Sequence, residues 1–212
     1  MSPLQAVQVN AGALYTAIEF AAVFASAVSG LIEARQRRLD AVGTFVVAFL
    51  TAFGGGTLRD VLLDRRPFYW VAHEWMVWAV FALTLSAPWL LRFSSGNMSA
   101  RALIIFDAIG LGIFSAAGTQ LAIAMGMPPF TAVMMGVITA VCGGLLRDIV
   151  CNEMPMILRD GRPYATCAFL GNWALLGLLA VGVAESAAVT LAAALIFSLR
   201  MLTLRLGVEL PR

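Results

Sequence analysis

Long apolar runs separated by short polar breaks make up almost the whole chain. Seven runs reach the roughly 20 mostly apolar residues that a bilayer core demands of a helix. They cover residues 12–32, 40–63, 71–91, 101–124, 129–151, 164–184 and 186–206. Runs this long and unbroken exclude a β-barrel, whose strands alternate and are about ten residues long. The first run starts within a dozen residues and lacks a basic n-region, so it is expected to be a retained helix, not a cleaved leader. The breaks leave no room for an extramembrane domain. The expected fold class is an all-α membrane protein with seven transmembrane helices in a single transmembrane domain over residues 1–212.

Composition supports this. Hydrophobic residues are 61% of the chain, charged residues are 12%, and the mean hydropathy is +0.89. Ordinary soluble domains have about 25% charged residues. So few charges exclude both a soluble monomer and a disordered chain. The net charge of +2 is too mild for a nucleic-acid reader. The three cysteines, Cys142, Cys151 and Cys167, lie in apolar stretches and have no metal-ligand spacing. His73 is the only histidine, which excludes a multi-histidine metal site. No nucleophile–base set or phosphate loop is present, so neither an enzyme nor a bound cofactor is expected.

All 14 basic residues are arginines. Ten (Arg35, Arg37, Arg38, Arg92, Arg101, Arg159, Arg162, Arg200, Arg205 and Arg212) fall on the side shared by the breaks after runs 1, 3 and 5 and the C-terminus. Only Arg65 and Arg66 fall on the other side. The positive-inside rule then puts the C-terminus in the cytoplasm and the N-terminus outside, in a multi-pass protein of the cell (inner) membrane. Tyr69, Trp70 and Trp89 suit interfacial belts. Arg35, Arg37 and Arg38 form a basic loop expected to meet anionic headgroups of membrane lipids.

The chain repeats itself at an offset of 88 residues. Gly54-Gly55-Gly56-Thr57-Leu58-Arg59-Asp60 answers to Cys142-Gly143-Gly144-Leu145-Leu146-Arg147-Asp148. The same register pairs Thr51 with Thr139, Ala52 with Ala140, Asp64 with Asn152, Pro67 with Pro155, Gly30 with Gly118, and Glu19 with Asp107. Beyond the proline it is lost, because the second copy has a longer loop. Each copy holds three runs, about 12–91 and 101–184, and a three-span unit ends on the side opposite its start. The copies are therefore expected to be inverted, with the seventh helix, about 186–206, outside the repeat.

Two features carry candidate chemistry. Gly54, Gly55, Gly56, Gly143 and Gly144 weaken helices 2 and 5 near their middles. A kink there would free carbonyls and amides for ions. The alternative is close helix packing, since small residues let backbones approach. The second feature is charge. Glu19, Arg59, Asp60, Asp107, Arg147 and Asp148 lie inside the runs, where each costs about 2.5–3.5 kcal/mol at a helix centre. Arg59 and Asp60 point about 100° apart on a helix. Pairing across the repeat, Arg59 with Asp148 and Arg147 with Asp60, is thus an alternative to pairing between neighbours. Four acids against two arginines leave an excess of carboxylates that favours cations.

The doubled Gly-Gly-x-x-Arg-Asp segments, each with a proline seven residues after the aspartate, resemble the prokaryotic trimeric intracellular cation (TRIC) channel family. The resemblance covers roughly residues 12–206. It implies a homotrimer with a pore in each subunit, bounded by kinked helices 2 and 5. It also implies passive conduction of potassium and sodium. Gly54, Gly55, Gly56, Gly143 and Gly144 would be the kink residues, with Arg59, Asp60, Arg147 and Asp148 beside them. This chain departs from the pattern at Cys142, where the family commonly has a third glycine, and in having no lysine. Bacterial members have also been labelled as small-solute transporters. A secondary transporter of a small solute such as glycine therefore stands beside the channel.

Overall fold

The computed structural model describes residues 3–90, 96–158, 161 and 163–209, with side chains from residue 16 on except at 88–90 and 96–99. The expectations for Arg92, Arg159, Arg162 and Arg212, and for the side chain of Trp89, lie outside the described residues. Among the described residues there are eight helices: α1 (Pro3–Gln36), α2 (Ala41–Leu62), α3 (Tyr69–Ala72), α4 (Glu74–Leu90), α5 (Gly96–Ala124), α6 (Pro129–Val150), α7 (Ala165–Ala180) and α8 (Glu185–Leu206).

Five of them, α1, α2, α5, α6 and α8, are long and apolar enough to cross a bilayer, while α4 and α7 have shorter apolar stretches, Glu74–Ala87 and Ala165–Ala180. The third expected run is divided at His73, which ends the single turn of α3. Large apolar side chains point outward, among them Trp78 at 62%, Phe130 at 59% and Leu202 at 51% exposure. Outward apolar residues in these numbers suit lipid or a neighbouring subunit rather than water.

Local chemistry sets the ends of the helices. Asp40 caps α2 by accepting the Gly43 N–H at 2.7 Å. Asp64 and Asn152 follow α2 and α6 in the left-handed region, at φ 50° and 55°. Short polar side chains tolerate that conformation. Both helix ends close with the same hydrogen bonds. The Leu63 and Cys151 N–H groups donate to the Arg59 and Arg147 carbonyls, and the Arg65 and Glu153 N–H groups donate to the Asp60 and Asp148 carbonyls. The repeat read from sequence thus reappears as one turn built twice.

Helices α1, α2, α5 and α6 pack against one another, α4 lies against α2, α7 lies against α5, α6 and α8, and α8 lies against α5 and α7. Helices α2 and α6 approach each other closely. A Cβ added at Gly55 would run into the Thr139 carbonyl oxygen, and one added at Gly143 would run into that of Thr51. The 88-residue offset turns each contact into the other. Thr51 lies opposite Gly143 and Thr139 opposite Gly55, so the two helices cross antiparallel. Both threonines donate to carbonyls in their own helices, Val47 and Met135, at 2.6 Å. Their hydroxyls are therefore satisfied in an apolar setting.

Helix α2 runs through Gly54–Gly56 and α6 through Gly143–Gly144 without interruption, and no half-helix ends open there. Packing explains this: at Gly55 and Gly143 the glycine is needed for space. Gly55→Ala is therefore expected to lower stability by about 1–3 kcal/mol through overpacking. Gly177→Ala, which adds a Cβ with nothing within 4 Å, should be neutral. Thermal unfolding in detergent checks the pair, and equal stability of both variants would contradict the crossing.

Candidate functional site

The charges inside the spans gather in two clusters, one at the C-terminal end of α2 and one at that of α6. In the first, Arg59 donates from Nε and Nη2 to Asp60 Oδ1, at 2.9 and 2.8 Å. The other Asp60 oxygen accepts the Tyr69 N–H at 2.8 Å and so caps the first turn of α3. Arg65 Nη1 stands 3.7 Å from the same carboxylate. Arg59 and Asp60 are 3% and 0% exposed, so this charge pair is out of water. Glu19 is half-buried and lines a small cavity with Arg59, Tyr69, Gly56 and Phe114. It forms no ion pair among the described residues. The buried Tyr69 hydroxyl lies beside Glu19, in the same cavity.

The second cluster is larger. Arg147, 1% exposed, donates from Nε to Asp148 Oδ1 at 2.8 Å. Its Nη1 reaches Asp107 Oδ1 at 2.9 Å and Ser29 Oγ at 2.6 Å. The Tyr164 hydroxyl donates to Asp107 Oδ2 at 2.8 Å, and Asp148 Oδ2 accepts the Met156 N–H at 2.8 Å. The Arg200 guanidinium stands 4.8 Å from the centre of the Tyr164 ring, and its Nη1 donates to the Pro163 carbonyl at 2.9 Å. Beside this cluster, Glu33, Arg37 and Glu153 line a cavity of about 220 Å³ that reaches Arg147 and Asp148. Arg37 bridges Glu33, at 3.0 Å, and Glu153, tying the end of α1 to the loop after α6. The hydrogen bond with Glu33 leads in raising the Arg37 pKa above its ordinary value.

These positions sort the residues singled out from sequence. Arginine and aspartate pair as neighbours, and the cross-repeat pairing is not formed, because the arginine stem curls back far enough to meet the adjacent carboxylate. Glu19 and Asp107, equivalent in sequence, part company: Asp107 is buried and held by Arg147 and Tyr164, and Glu19 is not. Gly55 and Gly143 belong to the crossing, and Gly54 abuts Leu146. Gly56 and Gly144, also repeat partners, sit beside the arginines. A Cβ at Gly56 would lie 3.9 Å from Arg59 Nη2, and one at Gly144 would lie 3.4 Å from Asp107 Oδ1. Sequence reasoning passed over Tyr164 and Ser29, and it placed Tyr69 in an interfacial belt although Tyr69 is 8% exposed. One signal was available for the tyrosines: of the three in the chain, one opens the third span of each repeat.

A family model described as glycine transporter matches the chain twice, over residues 16–92 and 104–180, at the same 88-residue spacing. The chain is 34% identical over 190 residues to a UPF0126 membrane protein of Vibrio cholerae, covering 90% of this chain and 78% of that one. It is 33% identical over 151 residues to the UPF0126 inner membrane protein YadS of Escherichia coli, covering 71% of each. A TRIC trimeric intracellular cation channel orthologue from Rhodobacter sphaeroides has the same fold, with TM-score 0.85 and 31% identity over 92% of this chain and 98% of that one. Fold and relatives together define a multi-pass, all-helical membrane protein and not an enzyme. The chain belongs to the prokaryotic TRIC channel family, together with the UPF0126 membrane proteins.

Removing one partner of a buried ion pair costs about 3–5 kcal/mol, because the remaining charge is stranded. Arg147→Met leaves Asp107 and Asp148 without their cation and should lose about that much. Tyr164→Phe removes one hydrogen bond to a charged group and should lose about 1.5–3 kcal/mol. Unfolding in detergent ranks the two, and a smaller loss for Arg147→Met would contradict the network.

Proposed function

We propose that the protein is a monovalent cation channel, permeable to potassium and sodium, with a pore inside each subunit of a homotrimer. The observation that carries this reading is the likeness over 92% of the chain to a trimeric cation channel orthologue. In this reading α3 and α4 together form the third of seven spans. The spans are two inverted three-helix repeats plus α8, in one transmembrane domain. The exchange-related contacts of Gly55 and Gly143 support the inversion, since a two-fold axis through the α2–α6 crossing would generate them. The arginine distribution orients the chain with its N-terminus outside and its C-terminus in the cytoplasm. The membrane is the inner one, as for the Escherichia coli relative.

The ion path runs beside the α2–α6 crossing. Gly56 and Gly144 keep it open next to the arginine clusters, with α2 and α6 bending at their glycines. Arg59, Asp60, Arg147 and Asp148 fix the ends of these helices, and Glu19 provides a carboxylate to attract cations. Asp107 acts through Arg147, holding the second cluster together.

The family description favours a second reading, a secondary transporter of a small solute such as glycine. Purified protein in a planar bilayer under a potassium gradient separates the two. Unit currents reversing near the potassium potential are expected. Proton-driven, saturable glycine uptake without unit current would overturn the channel. Gly144→Leu should abolish the current while the trimer persists by crosslinking. Glu19→Gln should move the reversal potential toward weaker cation preference, and an unmoved potential would remove Glu19 from the path.

A further inference from the structure

Helices α5 and α8 also cross tightly. A Cβ at Gly112 would stand 2.6 Å from the Ala193 carbonyl oxygen and 3.5 Å from the Phe197 nitrogen. Toward the end where α5 begins and α8 finishes, a cavity of about 550 Å³ opens beside them. Four of its lining side chains, Ile104, Ile105, Met201 and Leu204, are apolar, and the other two are Arg101 and Arg205. Both arginines are exposed, and neither makes an ion pair among the described residues. Arg101 lies in the second turn of α5 and Arg205 in the last turn of α8. In a chain that spans a bilayer, helix ends lie at headgroup level and the turns beyond them lie in hydrocarbon.

Two unpaired guanidinium groups therefore stand at the rim of an apolar groove. The planar guanidinium fork matches a phosphate oxygen pair. The groove beneath offers only apolar surface, which a soluble anion does not need and an acyl chain does. We propose that this cavity binds an anionic phospholipid, with its phosphate between Arg101 and Arg205 and one chain along Ile104, Ile105, Met201 and Leu204. Basic pockets between membrane helices recognise headgroups in this way. Ile104 also lines the cavity that reaches Arg147, so the lipid sits across α5 from that cluster. The site depends on the chain spanning a membrane and not on which solute the protein carries.

Native mass spectrometry of the purified protein, given equal phosphatidylglycerol and phosphatidylcholine of matched chains, tests the proposal. The unaltered protein should retain phosphatidylglycerol in preference. Arg101→Gln with Arg205→Gln should reduce that preference roughly ten-fold or more. Arg65→Gln with Arg66→Gln removes the same charge elsewhere and should leave the preference intact. Leu204→Trp fills the groove with both arginines present and should also displace the lipid. An unchanged preference in the Arg101/Arg205 variant overturns the proposal. So does an equal fall in the Arg65/Arg66 variant, which would mean attraction by net charge alone. Displacement by millimolar inorganic phosphate overturns it in favour of a simple anion site. Loss of the oligomer in the Arg101/Arg205 variant with lipid retention unaltered overturns it in favour of a contact with a second copy.

Discussion

A guanidinium in hydrocarbon must be paired, and Arg147 is paired from several directions at once. Asp148 meets it from the same helix, Asp107 from α5 and Ser29 from α1. Each carboxylate then uses its second oxygen elsewhere. Asp107 takes the Tyr164 hydroxyl just before α7, and Asp148 takes the Met156 N–H of the loop after α6. One buried cation therefore fixes the relative positions of α1, α5, α6, the loop and the start of α7. Desolvation makes such a group expensive if any partner is lost. That expense disfavours any packing of these helices that leaves Arg147, Asp107 or Asp148 unpaired.

The second constraint is distance between backbones. Lipid tails are as apolar as leucine, so helices in a bilayer gain little from the hydrophobic effect by associating. Close van der Waals contact has to do more, and it requires small residues at the crossing. Gly55 and Gly143 meet that need for α2 and α6, and the paired Gly30 and Gly118 do so against Thr51 and Thr139, where an added Cβ would stand 2.6 and 2.7 Å from the hydroxyl oxygens. Each threonine serves two glycines while its hydroxyl stays bonded within its own helix. The centre of the molecule is a layer of glycine and threonine with the ionic clusters beyond it.

Much of this was legible in the sequence, because the features concerned are local. The apolar runs located the long helices, and the 88-residue offset located turns that close with identical hydrogen bonds. Asp64 and Asn152 are residue types that accept a left-handed backbone, so their pairing in the register had a conformational cause. What stayed hidden depends on contacts distant in sequence. Ser29 lies 118 residues from Arg147, and Tyr164 lies 57 from Asp107, beyond the point where the longer loop erases the register. The spacing of Glu33 and Arg37 announced a helical pair, but their link to Glu153, 116 residues from Arg37, did not. The glycines presented a real ambiguity between bending and packing. Only the opposing helix shows that Gly55 and Gly143 are needed for space while Gly56 and Gly144 are not pressed.

The same division bears on the carboxylates. Sequence makes Glu19 and Asp107 equivalents, and an even electrostatic field from both would follow. Their surroundings break the equivalence. Asp107 faces a guanidinium and a hydroxyl, so its charge is already balanced by groups that cannot leave without exposing Arg147. At the other end Arg59 is balanced by Asp60, with Arg65 close by, which leaves Glu19 half-buried in a small cavity it shares with Arg59 and Tyr69. A permeant cation on the proposed path therefore gains little from Asp107 and most from Glu19. On the proposed reading, one acid of the repeat thus maintains the fold and the other is left to act on the ion. The sequence difference beneath this is small: Tyr164 follows the longer loop and donates to an acid that Arg147 also holds, while Tyr69 follows the shorter one and lies beside an acid that no arginine pairs among the described residues.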